Sequence, residues 1–251
     1  MGKFLIPIWT VYLFILLSVS NGNPPDKIYG GDLVEISKYP HQVSVQFRNE
    51  HFCGGVIISN YHILTAASCI LDGNNVFYAN IQVLSGSDKL IPSTYNRNWK
   101  IHQVSFVIFH KNYNPRAHWI NDIELRFSFA CKSIRMPTTH MSTRRHITGW
   151  GRDPNTGILN NNLQRLWVRS TPGPSCQRNY GIQTIIYPTQ YCLTPKSTDT
   201  QVTMGNAGSP VAGGTVLVGI ISLINSNRNY PVIYTYAMPY YEWIEKIKLD
   251  Y

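Results

Sequence analysis

Short runs in which apolar and polar residues alternate, separated by clusters of turn-forming residues, are the feature that most limits the fold of this chain. Residues 42–47 and 164–168 alternate in this way, as half-buried strands do. Residues 71–75 and 153–157 are rich in Gly, Asn, Asp and Pro, which is typical of turns. The pattern predicts an all-β protein, and only residues 243–249 have the apolar spacing of a helix.

The composition also favours strands over a helical bundle. Of the 251 residues, 14% are charged and 12% are aromatic, with 16 tyrosines. Aromatic residues are enriched in sheets. The length suits one large all-β domain or two small ones.

The N-terminus is typical of a secretion signal. Lys3 precedes an apolar run over residues 4–19, which ends in small residues. The alternative is a membrane anchor, but the run is short for a span of about 20 residues. We therefore expect a signal peptide at 1–20.

Seven motifs occur in an order and spacing that resemble trypsin-like serine proteases from about residue 27 to residue 247. They are Lys-Ile-Tyr-Gly-Gly (27–31), Phe-Cys-Gly-Gly-Val-Ile-Ile (52–58), Ile-Leu-Thr-Ala-Ala (63–67), Asn-Asp-Ile-Glu-Leu (121–125), Ile-Thr-Gly-Trp-Gly (147–151), Pro-Val-Ile-Tyr-Thr (231–235) and Tyr-Glu-Trp-Ile (241–244). The resemblance implies two packed six-stranded antiparallel β-barrels, together forming an all-β domain, followed by a C-terminal α-helix.

The resemblance places Ser68, Asp122 and Ala207 at the three catalytic positions, here called the triad positions. Serine replaces the family's histidine at 68, and alanine replaces its nucleophilic serine at 207. A methyl group cannot form an acyl-enzyme, and a serine hydroxyl is no base near pH 7. Asp122 is expected to be structural, hydrogen-bonded to Ser68 and nearby backbone. The amides of Gly205 and Ala207 are the expected remnant of an oxyanion hole.

Five further residues fall at the specificity-pocket positions of the family: Gln201, Ser222, Leu223, Ile224 and Val232. Gln201 stands at the pocket base, where trypsin-like members carry aspartate. Ile224 and Val232 replace two glycines that open the pocket in the family. These changes predict an occluded pocket; the alternative is that the loops rearrange and leave a shallow apolar cleft.

The activation site that the resemblance implies is the bond between Lys27 and Ile28. It gives a propeptide at 21–27 and one trypsin-like homology domain at 28–251, which contains both β-barrels. In the family, the new N-terminal ammonium pairs with an aspartate, and this chain has Asn206 at that position. A neutral amide cannot offset the cost of burying an ammonium. Cleavage is therefore not expected to bring about the usual ordering.

The five cysteines predict two disulfides and one remaining thiol. Family bridges match the pairs Cys53–Cys69 and Cys176–Cys192. Cys131 is expected to be a buried free thiol, with a link to another chain as the alternative. Two other positions that hold bridge cysteines in the family are occupied by Arg145 and Thr203.

The formal net charge of +9 favours acidic partners, although solubility is the simpler reading. Basic residues gather at 111–116, at 144–146, and at Lys246 and Lys248. No nucleic-acid motif is present, so nucleic acid is not an expected partner. No metal, cofactor or membrane attachment is expected after signal removal, and the protein is expected to be a monomer.

Two function classes follow: a secreted binding protein on an inactive protease scaffold, or a weakly active or altered-specificity serine endopeptidase. Residues 51–55 and 61–67 resemble the mite group 3 allergen proteases. The degenerate triad and the obstructed pocket are similar to the scabies-mite inactivated protease paralogues. That resemblance implies a protein secreted into the gut lumen that binds host defence proteins, complement components among them.

Overall fold

The structure is a computed structural model that describes residues 30–71, 76–95, 98–114, 120–127, 132–137, 144–182, 184–225, 227 and 230–250, with backbone alone at 124–127. The predicted signal peptide and propeptide, the Lys27–Ile28 bond, Cys131 and Arg116 lie outside these residues.

Two antiparallel sheets and two α-helices make up the described fold. The elements are β1 (Asp32–Leu33), β2 (Gln42–Phe47), β3 (Glu50–Ile57), β4 (His62–Thr65), β5 (Ile81–Ser85), β6 (Lys100–Gln103), β7 (Val107–Phe109), β8 (Glu124–Phe127), β9 (Arg145–Gly149), β10 (Gln164–Thr171), α1 (Gly173–Tyr180), β11 (Gln190–Pro195), β12 (Pro210–Gly213), β13 (Val216–Leu223), β14 (Val232–Tyr236) and α2 (Tyr241–Asp250). Short 3₁₀ helices lie between some of them, and one of these, Ala67–Cys69, carries Ser68.

The C-terminal sheet is a closed barrel of six strands in the order β9, β10, β11, β14, β13, β12. It closes because β9 pairs both with β12 and with β10. The alternation along β10 explains its place: Leu166 and Val168 are buried inside the barrel, whereas Trp167 and Arg169 turn outward. The predicted strand at 164–168 is confirmed.

The N-terminal sheet has the order β6, β5, β2, β3, β4, β8, β7. Among the described residues its two end strands, β6 and β7, do not pair with each other, so this sheet is a half-barrel. The predicted all-β fold class is therefore confirmed, with one barrel closed and the other partly open in the described part of the chain.

One hydrophobic cluster joins the two sheets and the last helix. It contains Val45 of β2, Leu64 of β4, Ile220 of β13 and Ile244 of α2, all almost fully buried. Ala207 packs against the same cluster. The triad positions therefore lie where the two halves of the molecule meet.

The helix α1 was not expected from the sequence. Its eight residues start with Gly173 and Pro174, and only Cys176 and Tyr180 give it a buried i, i+4 pair. So short a segment has too few apolar positions to produce a helical period. The C-terminal helix at 243–249 is confirmed by α2. Of the helices described, none is both long and apolar enough to cross a bilayer.

Both predicted disulfides are present. The Cys53–Cys69 bridge ties the 3₁₀ helix that carries Ser68 to β3. The Cys176–Cys192 bridge ties α1 to β11. At one of the positions without a family cysteine, the Arg145 guanidinium donates to the Tyr234 hydroxyl across 2.9 Å.

Candidate functional site

The Asp122 carboxylate is fully buried and accepts hydrogen bonds from Ser68, Ser222 and the Ala67 backbone. The Ser68 N–H donates to Oδ1 across 2.7 Å, and the Ser68 hydroxyl donates to Oδ2 across 2.9 Å. The Ser222 hydroxyl also donates to Oδ2, at 2.5 Å. Burial raises the pKa of Asp122, against these hydrogen bonds, which lower it. The expected contact between Ser68 and Asp122 is present.

Residues 204–210 form a segment that contacts β3 and β4 of the N-terminal sheet. The Gly54 N–H donates to the Ala207 carbonyl oxygen across 2.7 Å. Gly208 has φ of +78°, and a Cβ there would overlap Thr65 Oγ1 and the Gly54 carbonyl oxygen. Glycine is thus required at 208, and it holds Ala207 next to the segment that leads into Ser68.

The structure therefore brings together Ser68, Asp122 and Ser222, with Ala207 on the adjoining loop. Chemically, this arrangement is a buried carboxylate that accepts hydrogen bonds from hydroxyl and amide donors. No imidazole stands at position 68 to take a proton.

The backbone amides of Gly205 and Ala207 find no acceptor within the described part of the chain. Gly205 has φ of +98°, and a Cβ on it would come within 2.7 Å of the Trp150 carbonyl oxygen. Glycine therefore allows the loop to pass close to Trp150. Two N–H groups without an acceptor remain as the candidate oxyanion remnant.

His51 is a buried residue of the site that sequence reasoning missed. Its Nε2 lies 3.0 Å from the Gly205 carbonyl oxygen and 3.2 Å from that of Trp150, and its Nδ1 lies 2.8 Å from the Ser44 hydroxyl oxygen. Because both groups at Nε2 are acceptors, Nε2 carries the proton and Nδ1 accepts from Ser44. Burial lowers the pKa of His51 to about 4, so the ring is neutral at pH 7. The only sequence signal was a histidine directly before the Phe-Cys-Gly-Gly motif.

The Asn206 side chain is buried in space left by two glycines. Its Nδ2 donates to the Thr203 carbonyl oxygen across 2.9 Å. A Cβ at Gly149 or Gly151 would collide with the Asn206 amide. Its Oδ1 has no hydrogen-bond partner in the part of the chain that the structure describes. The predicted activation bond, Lys27–Ile28, lies outside the described residues.

The specificity-pocket positions are divided between a hydrophobic cluster and a polar cleft. Val232 is 6% exposed and packs with buried Val202, and Ile224 lies against the same cluster. Gln201 lines a cleft of about 540 Å³, and Leu193, Val202 and Val232 of this cluster line the same cleft. Leu223 packs against a separate cluster, and the Ser222 hydroxyl is bound to Asp122 rather than directed into a pocket.

Among the described residues, no group of His, Cys, Asp and Glu side chains is arranged to hold a metal ion.

Relatives of this chain carry the names of proteases. Trypsin beta of Drosophila erecta is 28% identical over 260 residues, covering 97% of this chain and 98% of the relative. Trypsin alpha of Drosophila melanogaster is 29% identical over 231 residues, covering 87% and 86%. The vitellin-degrading protease of Bombyx mori is 26% identical over 251 residues, covering 93% and 92%.

The family model described as Trypsin matches residues 28–244. This range contains both sheets, the Asp122 network, His51 and the loop at 204–210. The closed barrel, the half-barrel and the C-terminal helix agree with that family's fold. The chain therefore belongs to the trypsin family.

Proposed function

We propose that this protein is a secreted member of the trypsin family that lacks proteolytic activity and acts by binding other extracellular proteins. The observation that carries the proposal is the chemistry of the triad positions. Ala207 has no hydroxyl to attack a carbonyl carbon, and Ser68 has no basic nitrogen to accept a proton. Both losses affect the same reaction, so neither group can compensate for the other.

The surroundings of the triad positions support the proposal. The Ser68 hydroxyl donates directly to the Asp122 carboxylate, in place of the histidine that serves as general base in the family mechanism. Val232 and Ile224 put side chains at positions where the family has glycine, against one apolar cluster. We infer that the specificity pocket is occluded. A long basic side chain of a substrate then has neither room nor a carboxylate partner, because Gln201 is neutral.

The test is hydrolysis of a panel of fluorogenic peptides, with and without cleavage after Lys27. We expect no turnover above buffer and no labelling by a serine-directed phosphonate. Amides bound at an oxyanion hole can retain about 10³–10⁴-fold acceleration over water without a triad. That is far below the detection limit for peptide bonds. Stoichiometric phosphonate labelling of any residue in the groove would overturn the proposal.

A weakly active or altered-specificity endopeptidase is the second candidate, and the names of the relatives favour it. The peptide panel on the unaltered protein, with Ala207→Ser as control, separates the two, and the double variant Ser68→His/Ala207→Ser tests the pocket. If Ile224 and Val232 occlude the pocket, the double variant recovers little cleavage after Arg or Lys. Efficient cleavage by this variant means that the pocket is open, whereas turnover by the unaltered protein favours the endopeptidase.

The proposed partners are host or other extracellular proteins, including complement components. This part of the proposal rests on the resemblance to the scabies-mite inactivated paralogues and on the net charge of +9. Capture from plasma on the immobilised protein, read by mass spectrometry, tests it. Binding should weaken as salt rises, mainly through a slower association rate. Binding that ignores salt and is lost when Ala207 is enlarged would instead indicate a decoy that uses the old groove.

A further inference from the structure

A cleft of about 310 Å³ lies where the β2–β3 hairpin meets two of the longer connections of the fold. Leu90 and Ile91, between β5 and β6, form one apolar wall, and Leu159, between β9 and β10, forms another. The hairpin contributes Gln46 of β2 and Glu50 of β3. We call this site the hairpin cleft.

Backbone contacts hold the walls of the hairpin cleft in place. The Leu90 N–H donates to the Asn161 carbonyl oxygen across 2.9 Å, and the Ile91 N–H donates to Asn161 Oδ1 across 2.7 Å. Arg152 and Leu159 face each other in an antiparallel bridge. The two connections therefore fix each other, and the shape of the cleft is set by the main chain.

Gln46 is the polar group that singles out the hairpin cleft. The residue is only 4% exposed and lines the cleft, yet its side-chain amide has no hydrogen-bond partner among the described residues. On the next strand, by contrast, the Gln82 amide donates to Asn49 Oδ1 across 3.1 Å. An amide in such a position needs a partner from outside the protein. Gln46 offers that partner two N–H donors and one carbonyl acceptor.

The rim of the hairpin cleft carries one charge of each sign. Glu50 and Arg152 are both exposed, and neither forms an ion pair within the described ranges. Their charges balance, so the cleft itself does not select for a polyanion or a polycation. Ile91 is 79% exposed, which extends the apolar wall beyond the cleft.

From this arrangement we propose that the hairpin cleft binds an extended peptide segment of a protein partner. One aliphatic side chain of that segment lies between Leu90, Ile91 and Leu159. The peptide group beside it has one donor and one acceptor, and the Gln46 amide can pair with both. This role rests on the proposed function, because it gives a protein partner the surface on which it is held.

The same features argue against other occupants. A purely aliphatic ligand, such as an acyl chain, would bury the Gln46 amide without a partner, which costs binding energy. A polyanion would meet Glu50, and a polycation would meet Arg152, each with a like charge at the rim. A neutral peptide with an aliphatic side chain satisfies the amide and the walls together.

The test is an NMR titration of the purified protein with the capped peptide acetyl-Ser-Gly-Leu-Gly-Ser-amide, read at the Gln46 side-chain amide signals. We expect saturable shifts with Kd of about 1–10 mM. The peptide with asparagine in place of leucine should bind at least about tenfold more weakly, because it loses the burial of an aliphatic side chain. Methylation of the leucine nitrogen should weaken binding about three- to tenfold, because it removes the donor to Gln46.

Two variants with matched controls locate the peptide. Gln46→Met removes the unpartnered amide, and Gln103→Met makes the same change at an exposed position on β6. We expect Kd to rise about three- to tenfold for the first and less than about twofold for the second.

The second variant, Ile91→Asp, alters a side chain that is already mostly in solvent, so folding should be preserved. Its control is Ile158→Asp, since Ile158 is also exposed but does not line the cleft. We expect Kd to rise at least about tenfold for Ile91→Asp and less than about twofold for Ile158→Asp.

Three results would overturn the proposed peptide site: no shift of the Gln46 amide signals at about 10 mM leucine peptide, equal binding of the leucine and asparagine peptides, or equal effects of each variant and its control. Peptide hydrolysis by the unaltered protein would contradict the proposed lack of proteolysis instead. Since the titration uses none of the triad positions, either proposal can fail alone.

Discussion

Among the individual residues, Ser222 makes a contact whose loss should change the free energy of unfolding. Its hydroxyl donates to the fully buried Asp122 carboxylate at 2.5 Å. Replacing it with alanine removes a donor from a buried charge-bearing group, which costs about 1.5–3 kcal/mol. We expect the free energy of unfolding of Ser222→Ala to fall by this amount in urea melts at pH 7.

A matched control for that measurement is Ser93→Ala, which removes an exposed hydroxyl. It should change the unfolding free energy by less than about 0.5 kcal/mol. If Ser222→Ala is as stable as this control, the Ser222 hydroxyl is not needed to satisfy Asp122.

Ser222 and His51 also show what sequence reasoning could not supply at this scale. Motif order predicts that Ser68, Asp122 and Ala207 share a site, and the structure brings them together. Motif order also assigns Ser222 to the wall of the specificity pocket. A motif gives the neighbours of Ser222 in the chain, but it does not give the direction of the Ser222 hydroxyl. His51 gains its role from carbonyl oxygens about 100 and 154 positions away, which no local pattern contains.

At the level of elements, the two disulfides close loops of the same length. Each joins residues 16 apart in sequence. In the chain-entropy account, a loop of this size contributes about 3 kcal/mol. We expect Cys53→Ala/Cys69→Ala and Cys176→Ala/Cys192→Ala each to lower the unfolding free energy by that amount in guanidinium melts. A loss below about 1 kcal/mol for either pair would mean that the unfolded chain is not constrained by that bridge.

Strands were more predictable than helices in this molecule. The strand β10 alternates over its length, and its pattern identifies both its type and its inner face. The helix α1 has one turn-spanning buried pair and a Gly-Pro start, which sequence reasoning cannot separate from a loop. The partial opening of the N-terminal sheet could not be predicted from the sequence either. It depends on whether β6 and β7, at the two ends of the sheet, pair by hydrogen bonds.

For the whole molecule, three buried histidines link stability to pH. Burial lowers the pKa values of His41, His51 and His146 to about 4, from 6.5 in the unfolded chain. Between these values the unfolded chain binds protons that the folded chain excludes, so stability falls as the pH falls. Each histidine then costs about 2 kcal/mol between pH 7 and pH 5. The raised pKa of Asp122 acts in the opposite direction.

The variant His146→Phe isolates one of these contributions. Neither ring nitrogen of His146 has a hydrogen-bond partner within the described ranges, and its ring packs edge-on against Tyr39 and Trp167. Phenylalanine keeps those ring contacts and removes two unsatisfied polar atoms. We expect calorimetry to show a higher Tm at pH 7 and a loss between pH 7 and pH 5 that is smaller by about 2 kcal/mol. An unchanged pH dependence would show that His146 is not protonated on unfolding.

The predicted cleavage after Lys27 concerns the whole molecule, and the predicted response to it depends on Asn206. Its amide is buried, and its Oδ1 lacks a partner among the described residues. A neutral oxygen there can accept one hydrogen bond from an Ile28 ammonium but cannot offset its desolvation. Cleavage after Lys27 should therefore change Tm by less than roughly 5 °C.

The variant Asn206→Asp supplies the missing charge. It should destabilise the uncleaved protein by about 3 kcal/mol or more, because the new carboxylate is buried without a partner. Cleavage should then restore that loss, because the ammonium gains a partner. A large rise in Tm on cleavage of the unaltered protein would mean that Ile28 inserts without a carboxylate. If Asn206→Asp responds to cleavage no more than the unaltered protein does, the ammonium never reaches residue 206.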